Sequence, residues 1–292
     1  MRMEVDIMSI YHTKDILHIS SITLLIKDLH RSLEFYVEIL GLSILEKDKH
    51  KVVLTVNQKD PLITLIEDRN AIPPQITLGL YHYALLVPNR KELAKVFNQF
   101  VFKRYPISGA SDHGVSEALY LDDPDGNGIE IYHDRETKDW PVEDGKMTMF
   151  TKPLDLASLL SELGPEERFE KMHAETLMGH LHFHVDDFDQ AKSFYGNALG
   201  FEIMLQFVDS ALFLGSNGYH HHIGLNTWNG HAPLNKVKQV GLKSYVLSIP
   251  HMLYPAFMRR LTHQQIPLLV DGETKYIIDP LGQKITFDVQ PS

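Results

Sequence analysis

Cysteine is absent from all 292 residues. That excludes disulfides, zinc–thiolate centres and a cysteine nucleophile, and nothing in the chain asks for an oxidising compartment. Positive charge is scarce. There are 28 Lys and Arg against 38 Asp and Glu, a net charge of −10. Nucleic-acid binding wants a basic face, so no nucleic-acid partner is expected. No apolar run nears the roughly 20 residues that span a bilayer, so no membrane partner is expected either. The stretch Met1 to Ile16 lacks the apolar core of a signal peptide, which makes the cytoplasm the default compartment. Gly126-Asn-Gly128 reads as a turn, since no Gly-Lys-Ser/Thr follows it, and no Gly-x-Ser-x-Gly elbow exists.

What the chain has is histidine, 17 of them, in an otherwise ordinary globular composition of 43% hydrophobic and 23% charged residues. Histidine is the commonest metal ligand and the usual proton shuttle near neutral pH. The length suits two ordinary cores.

The chain also repeats itself. Asp28-Leu-His-Arg-Ser-Leu-Glu-Phe-Tyr-Val-Glu-Ile-Leu-Gly41 aligns without a gap with Asp187-Phe-Asp-Gln-Ala-Lys-Ser-Phe-Tyr-Gly-Asn-Ala-Leu-Gly200. Each segment reads as an amphipathic helix with an Asp N-cap and a Gly stop, and Leu29, Leu33, Tyr36 and Leu40 form the buried stripe. Strands precede the helices, at Ile22 to Ile26 and Leu181 to Val185. A weaker pair matches Gly79-Leu-Tyr-His-Tyr-Ala-Leu-Leu-Val-Pro88 with Gly241-Leu-Lys-Ser-Tyr-Val-Leu-Ser-Ile-Pro250, with helical stretches following at Arg90 to Phe100 and Tyr254 to Gln264. These last two units end alike, through Asp123-Pro124 and Asp279-Pro280, turns feeding a final strand.

The chain is therefore expected to be α+β, built of four βαβββ modules at about 17–67, 79–134, 178–228 and 240–289, forming paired, curved mixed sheets. Two domains are expected, 1–134 and 178–292, joined by a linker at 135–177 with a short helix around Leu154 to Leu163. Across this repeat fall His82, Glu130 and His180. Two imidazoles and a carboxylate are the ligand set of a 2-His-1-carboxylate iron(II) site, which leaves open positions for substrate and dioxygen.

The chain resembles the vicinal oxygen chelate superfamily of glyoxalases, bleomycin-resistance proteins and extradiol dioxygenases. More specifically, Gly79 to His82, Ser116 to Tyr120, Asp123 to Glu130, Gly179 to His184 and Gly218 to Asn226 resemble the catechol 2,3-dioxygenases of Bacillus-type bacteria. The resemblance covers nearly all of the chain outside the linker and the N-terminal tail. In that superfamily a metal sits between two paired modules, held by the first strand of each and the last strand of one or both. The first-strand positions here are Ser21, His82, His180 and Ser244. The last-strand candidates are Leu62, Glu130, His221 or His222, and Thr286. Pairing module two with three assembles His82, Glu130 and His180, and leaves Ser21, Ser244 and Thr286 as a dead site. The common extradiol enzymes differ, placing the metal in their last two modules.

The resemblance implies extradiol cleavage of a small aromatic diol by dioxygen, with Fe(II) as cofactor and Mn(II) as the alternative, and a homo-oligomer by family habit. It also implies His221 as acid/base, with Tyr120 and His113 hydrogen-bonded to substrate oxygens. Tyr276, the counterpart of Tyr120, favours a partly structural tyrosine, and His113 stands closer to Tyr120 than is usual. Whether His221 or His222 faces the metal stays open. His182 and His184 share a strand face with His180, so they either line the cavity or form a polar sheet face. Trp228 and Asn226 either shape the pocket or belong to the packing, and Met172, Met178 and Met204 read as core fillers. A second chemistry of the superfamily, Lewis-acid isomerisation or lysis, would need a fourth protein ligand, a place only His221 or His222 could take. A non-catalytic ligand-sequestering protein is a third reading.

Overall fold

The computed structural model describes residues 9–234 and 238–291. Its architecture is α+β, with two large curled mixed sheets and a two-stranded ribbon of Val142–Glu143 and Lys146–Met147. Module one runs through strand His18–Ile26, a helix from Leu29, and strands Ser43–Lys47, Lys51–Thr55 and Ile63–Glu67. Module two has Gly79–Leu86, helix Arg90–Lys103, then Gly109–Asp112, Ser116–Asp122 and Gly128–Asp134. Module three has Leu177–His184, a helix from Phe188, then Glu202–Phe207, Ala211–Gly215 and Ile223–Asn226. Module four has Gly241–Ile249, helix Tyr254–His263, then Leu269–Asp271, Thr274–Ile278 and Lys284–Val289.

Strand order joins modules two and three into a nine-stranded sheet and modules one and four into an eight-stranded one. The seam of the first is the antiparallel pair Gly79–Leu86 and Leu177–His184; that of the second is His18–Ile26 and Gly241–Ile249. Side chains alternate across a strand. Tyr83, Leu85, Leu181 and Phe183 therefore enter one apolar cluster, which also takes Ile22 and Leu24 from module one and Tyr245 and Leu247 from module four. His82 and His180 project from the opposite face.

The repeated Asp-to-Gly segments are helical, with Asp28 accepting from the Arg31 backbone N–H and Asp187 from those of Asp189 and Gln190. They differ from a uniform α-helix. After Leu33 and Ala191 each helix widens into π-turns, over Glu34–Ile39 and Lys192–Leu199. A π-turn adds a residue per turn. That lets two neighbours, Phe35 and Tyr36 or Phe194 and Tyr195, both face inward. Leu33 is only partly buried.

The Tyr of this repeat bonds to the Asp of the other one. Tyr36 Oη donates to Asp123 Oδ2 at 2.8 Å, and Tyr195 Oη donates to Asp279 Oδ2 at 2.9 Å. The two sequence motifs thus lock module one to two and module three to four. The linker holds a shorter helix than expected, Leu156–Leu160, capped by Asp155. Its strand Lys152–Pro153 adds to the edge of the nine-stranded sheet against Ser111 and Asp112. Among the described residues no helix is long and apolar enough to cross a membrane.

Candidate metal centre

His82 and Glu130 lie on the first and last strands of module two, which run parallel with Ala84 opposite Glu130. His180 arrives across the seam, opposite Ala84, just after a register shift between Met178 and His180. Such a bulge re-aims the side chain that follows it. His82 Nε2 lies 3.0 Å from Glu130 Oε2, His180 Nε2 lies 3.2 Å from the same oxygen, and the two nitrogens are 3.3 Å apart. Ligands at right angles and about 2.1 Å from one ion stand about 3.0 Å from each other. The three donors thus have the spacing of one face of an octahedron.

Electrostatics agree with that use. All three side chains are buried, His180 to 1% exposure. Burial alone would raise the Glu130 carboxyl, but the His180 and His82 imidazoles hold it well below the ordinary carboxylate range. Burial lowers His180, against the pull of Glu130. An ionised carboxylate and neutral imidazoles are the metal-binding forms. With Nε2 turned to the other two donors, His180 Nδ1 is the nitrogen that carries the hydrogen, and it is buried with no hydrogen-bond partner among the described residues. The set fits a divalent transition metal.

Register identifies the equivalent last-strand positions, and two differ from the sequence reading. His182 pairs with Gly224, so Gly224, rather than His221 or His222, occupies in module three the place of Glu130. A Cβ there would lie 2.9 Å from the His182 ring. In module one the equivalent is Thr64, opposite Thr23, rather than Leu62. Strand Ile223–Asn226 begins only after the three histidines, which is why their offset in sequence misleads.

The centre opens on a cavity of about 750 Å³ whose lining includes His82, Glu130, His113, Tyr120, His182 and His221. Aromatic walls come from Phe207, Phe213 and Trp228, and from Phe150 of the linker. His113 Nδ1 lies 3.1 Å from the Phe150 carbonyl, which can only accept, so Nδ1 carries the proton. In neutral His113, Nε2 is then an acceptor, and Tyr120 Oη donates to it at 2.7 Å. Burial, with Glu130 nearby, keeps the Tyr120 hydroxyl well above its usual range.

The structure separates the three consecutive histidines. The His221 ring lies against His180, with centroids 4.1 Å apart, and lines the cavity. Burial and the neighbouring His180 and His220 rings push it well below the ordinary imidazole range. His222 turns away, its Nε2 donating to the Tyr11 carbonyl at 3.1 Å while Nδ1 accepts from the Ser216 N–H. His182 lines the cavity and accepts from Asn226 at 3.1 Å, and Asn226 in turn accepts from His184. Trp228 sits at the rim, 57% exposed. Met172 and Met178 are buried. Met149, Phe150 and Thr151 also line the cavity, and no local sequence signal marked this part of the linker.

Paired βαβββ modules thus carry a buried cluster of two histidines and one carboxylate that could hold a metal ion. Residues 16–131 match the sequence model of the glyoxalase/bleomycin resistance protein/dioxygenase superfamily. The chain is 43% identical over 239 residues to a protein named catechol-2,3-dioxygenase from Bacillus subtilis (strain 168), covering 80% of this chain and 83% of that one. In fold it is similar to the cppA protein of Streptococcus pneumoniae TIGR4, with a TM-score of 0.58, 12% identity and coverage of 93% and 98% of the two chains. It is also similar to glyoxalase I of Zea mays, with a TM-score of 0.56, 15% identity and coverage of 93% and 92%. The chain belongs to the glyoxalase/bleomycin resistance protein/dioxygenase superfamily.

Proposed function

We propose that this protein opens the ring of a catechol, beside its two hydroxyls, with dioxygen, using iron(II) held by His82, Glu130 and His180. The observation that carries the reading is the convergence of one facial triad and three further polar groups, His113, Tyr120 and His221, on one aromatic-walled cavity. The similarity to a protein named catechol-2,3-dioxygenase supports it. Bound iron(II) supplies open coordination positions for diol and dioxygen and a route for electrons between them.

The chain's own residues do the rest. His221 takes a proton from a substrate hydroxyl and returns it later in the turnover. Tyr120 spends its O–H on His113 and presents its oxygen to a substrate hydroxyl. Phe207, Phe213, Phe150 and Trp228 clamp a flat ring and exclude water. Gly224, standing where a fourth ligand would come, favours this reading over a Lewis-acid isomerase. Manganese(II) is the alternative metal for the same donor set. The halves 1–134 and 178–292 are the units of duplication, and the 135–177 linker roofs the cavity. A cytoplasmic enzyme follows as part of the same reading.

The test is anaerobic reconstitution with iron(II), followed by catechol and substituted catechols in air. Oxygen uptake matched one to one with a yellow ring-opened product is the expected result. Bound metal with no uptake on any of them would overturn the assignment.

A further inference from the structure

Behind His221 lies a chain of groups that the reaction above does not use. His221 Nδ1 is 2.8 Å from His220 Nδ1, and His220 Nε2 is 2.8 Å from Asp134 Oδ1. Asp134 Oδ2 accepts from Tyr219 Oη at 3.0 Å, and Tyr132 Oη lies 2.7 Å from Tyr219 Oη. His220 is fully buried, while the Asp134 side chain is 18% exposed and lines a separate cavity of about 630 Å³.

With His220 as the neutral imidazole, elementary valence orients these bonds. A carboxylate only accepts, so His220 Nε2 is the donor toward Asp134. In a neutral imidazole the other nitrogen then carries a lone pair. His220 Nδ1 is therefore an acceptor, and His221 Nδ1 has to supply the hydrogen. His221 is left with a lone pair on Nε2, the nitrogen farther from His220.

We propose that Asp134 and His220 are positioning residues that lock His221 in the Nδ1–H form, keeping Nε2 as the proton-accepting nitrogen. The catalytic meaning of this lock rests on the proposed ring cleavage; the lock itself does not. The arrangement works as the buried aspartate does in a serine-protease triad, where the wrong tautomer is the cost of the Asn variant.

The experiment reads the lock without catalysis. Metal-free protein is labelled with ¹⁵N-histidine, and long-range ¹H–¹⁵N correlations are recorded, with the His221 signals assigned by their loss in His221→Gln. The expected result is a protonated Nδ1 and a bare Nε2 on His221. In Asp134→Asn the side-chain amide can donate to His220 Nε2, and the His221 pattern should invert or become mixed, with metal content unchanged. His221 found as Nε2–H in the unaltered protein would overturn the proposal, whatever the activity. So would an unchanged pattern in both Asp134→Asn and His220→Gln. If the ring-cleaving assay succeeds, Asp134→Asn should lower kcat about 10- to 100-fold with little change in KM. A loss confined to KM or to metal content would also refute a tautomer role. Failure of the ring-cleaving assay alone leaves the spectra to decide.

Discussion

In the nine-stranded sheet, the seam register shifts just before His180 and just after His182. In the eight-stranded sheet it shifts just before Ser21 and just after Thr23. Both seams start from a glycine at φ +131°, Gly79 in one and Gly241 in the other. Position by position, Ser244 stands for His82, Ser21 for His180, and Thr286, opposite Val246, for Glu130 opposite Ala84. The backbone device that aims a first-strand side chain is thus present twice. The donor atoms that suit a transition metal are present once, because hydroxyls are poor ligands for such ions where imidazole and carboxylate are good ones. The bulged seam is scaffold, and the candidate site is three side chains laid on it.

The strongest way to break this comparison is to remove a ligand. His82→Ala, Glu130→Ala and His180→Ala should each weaken divalent metal binding at least about 100-fold, more than the loss of a supporting group would. Ser244→Ala should leave it unchanged. Anaerobic calorimetric titration with iron(II) measures both, and full binding by His180→Ala would refute a site shared between modules two and three. A gain of function is the sharper test. The triple variant Ser21→His, Ser244→His, Thr286→Glu should raise the metal stoichiometry from one to two, with the new equivalent the weaker. If it stays at one, seam shape alone does not make a site.

The sequence showed the modules because Asp, Phe-Tyr and Leu-Gly recur at fixed spacing, and it singled out the candidate triad because His82 and His180 fall at equivalent positions of that repeat. It hid features set by long-range pairing. Gly224 takes the fourth-ligand place through hydrogen-bonded register with His182, which offset counting from His220 to His222 cannot give. The π-turns use the same residues an α-turn would. Phe150 reaches the cavity only because the linker pairs with Ser111 and Asp112. Asp134 and His220 stand 86 positions apart and meet only in space.

The Tyr–Asp locks offer a milder test of the likeness between the halves. Tyr36→Phe and Tyr195→Phe each leave a buried carboxylate short of a donor, which costs about 1–3 kcal/mol. Urea unfolding should show similar losses for both, since the two bonds match in length within 0.1 Å at 2.8 and 2.9 Å. A loss in only one would mean that the motif is structural in one half and incidental in the other.

The last test is in pH. Burial pushes the Asp279 carboxyl up to about 7, against donors from the Gln283 and Leu281 backbone and from Tyr195 and Tyr245. Burial also raises Asp123, against its donors from Asn127 and Tyr36. A carboxyl whose folded pKa lies above its unfolded value binds more protons when folded. Its stabilising contribution is full below the unfolded value near 3.8 and is lost as pH rises through about 7. The buried histidines act in the opposite sense, because His221 and His222 are lowered and the folded state sheds their protons. Total stability against pH therefore mixes the two signs, and a difference between variants separates them. Asp279→Asn removes one carboxyl and no histidine, so its urea midpoint should gain on that of the unaltered protein as pH rises from 5 to 8. Asp123→Asn should flatten the curve in the same direction. Parallel curves for Asp279→Asn would mean that the buried turn carboxyl stays ionised across this range, held by its four donors.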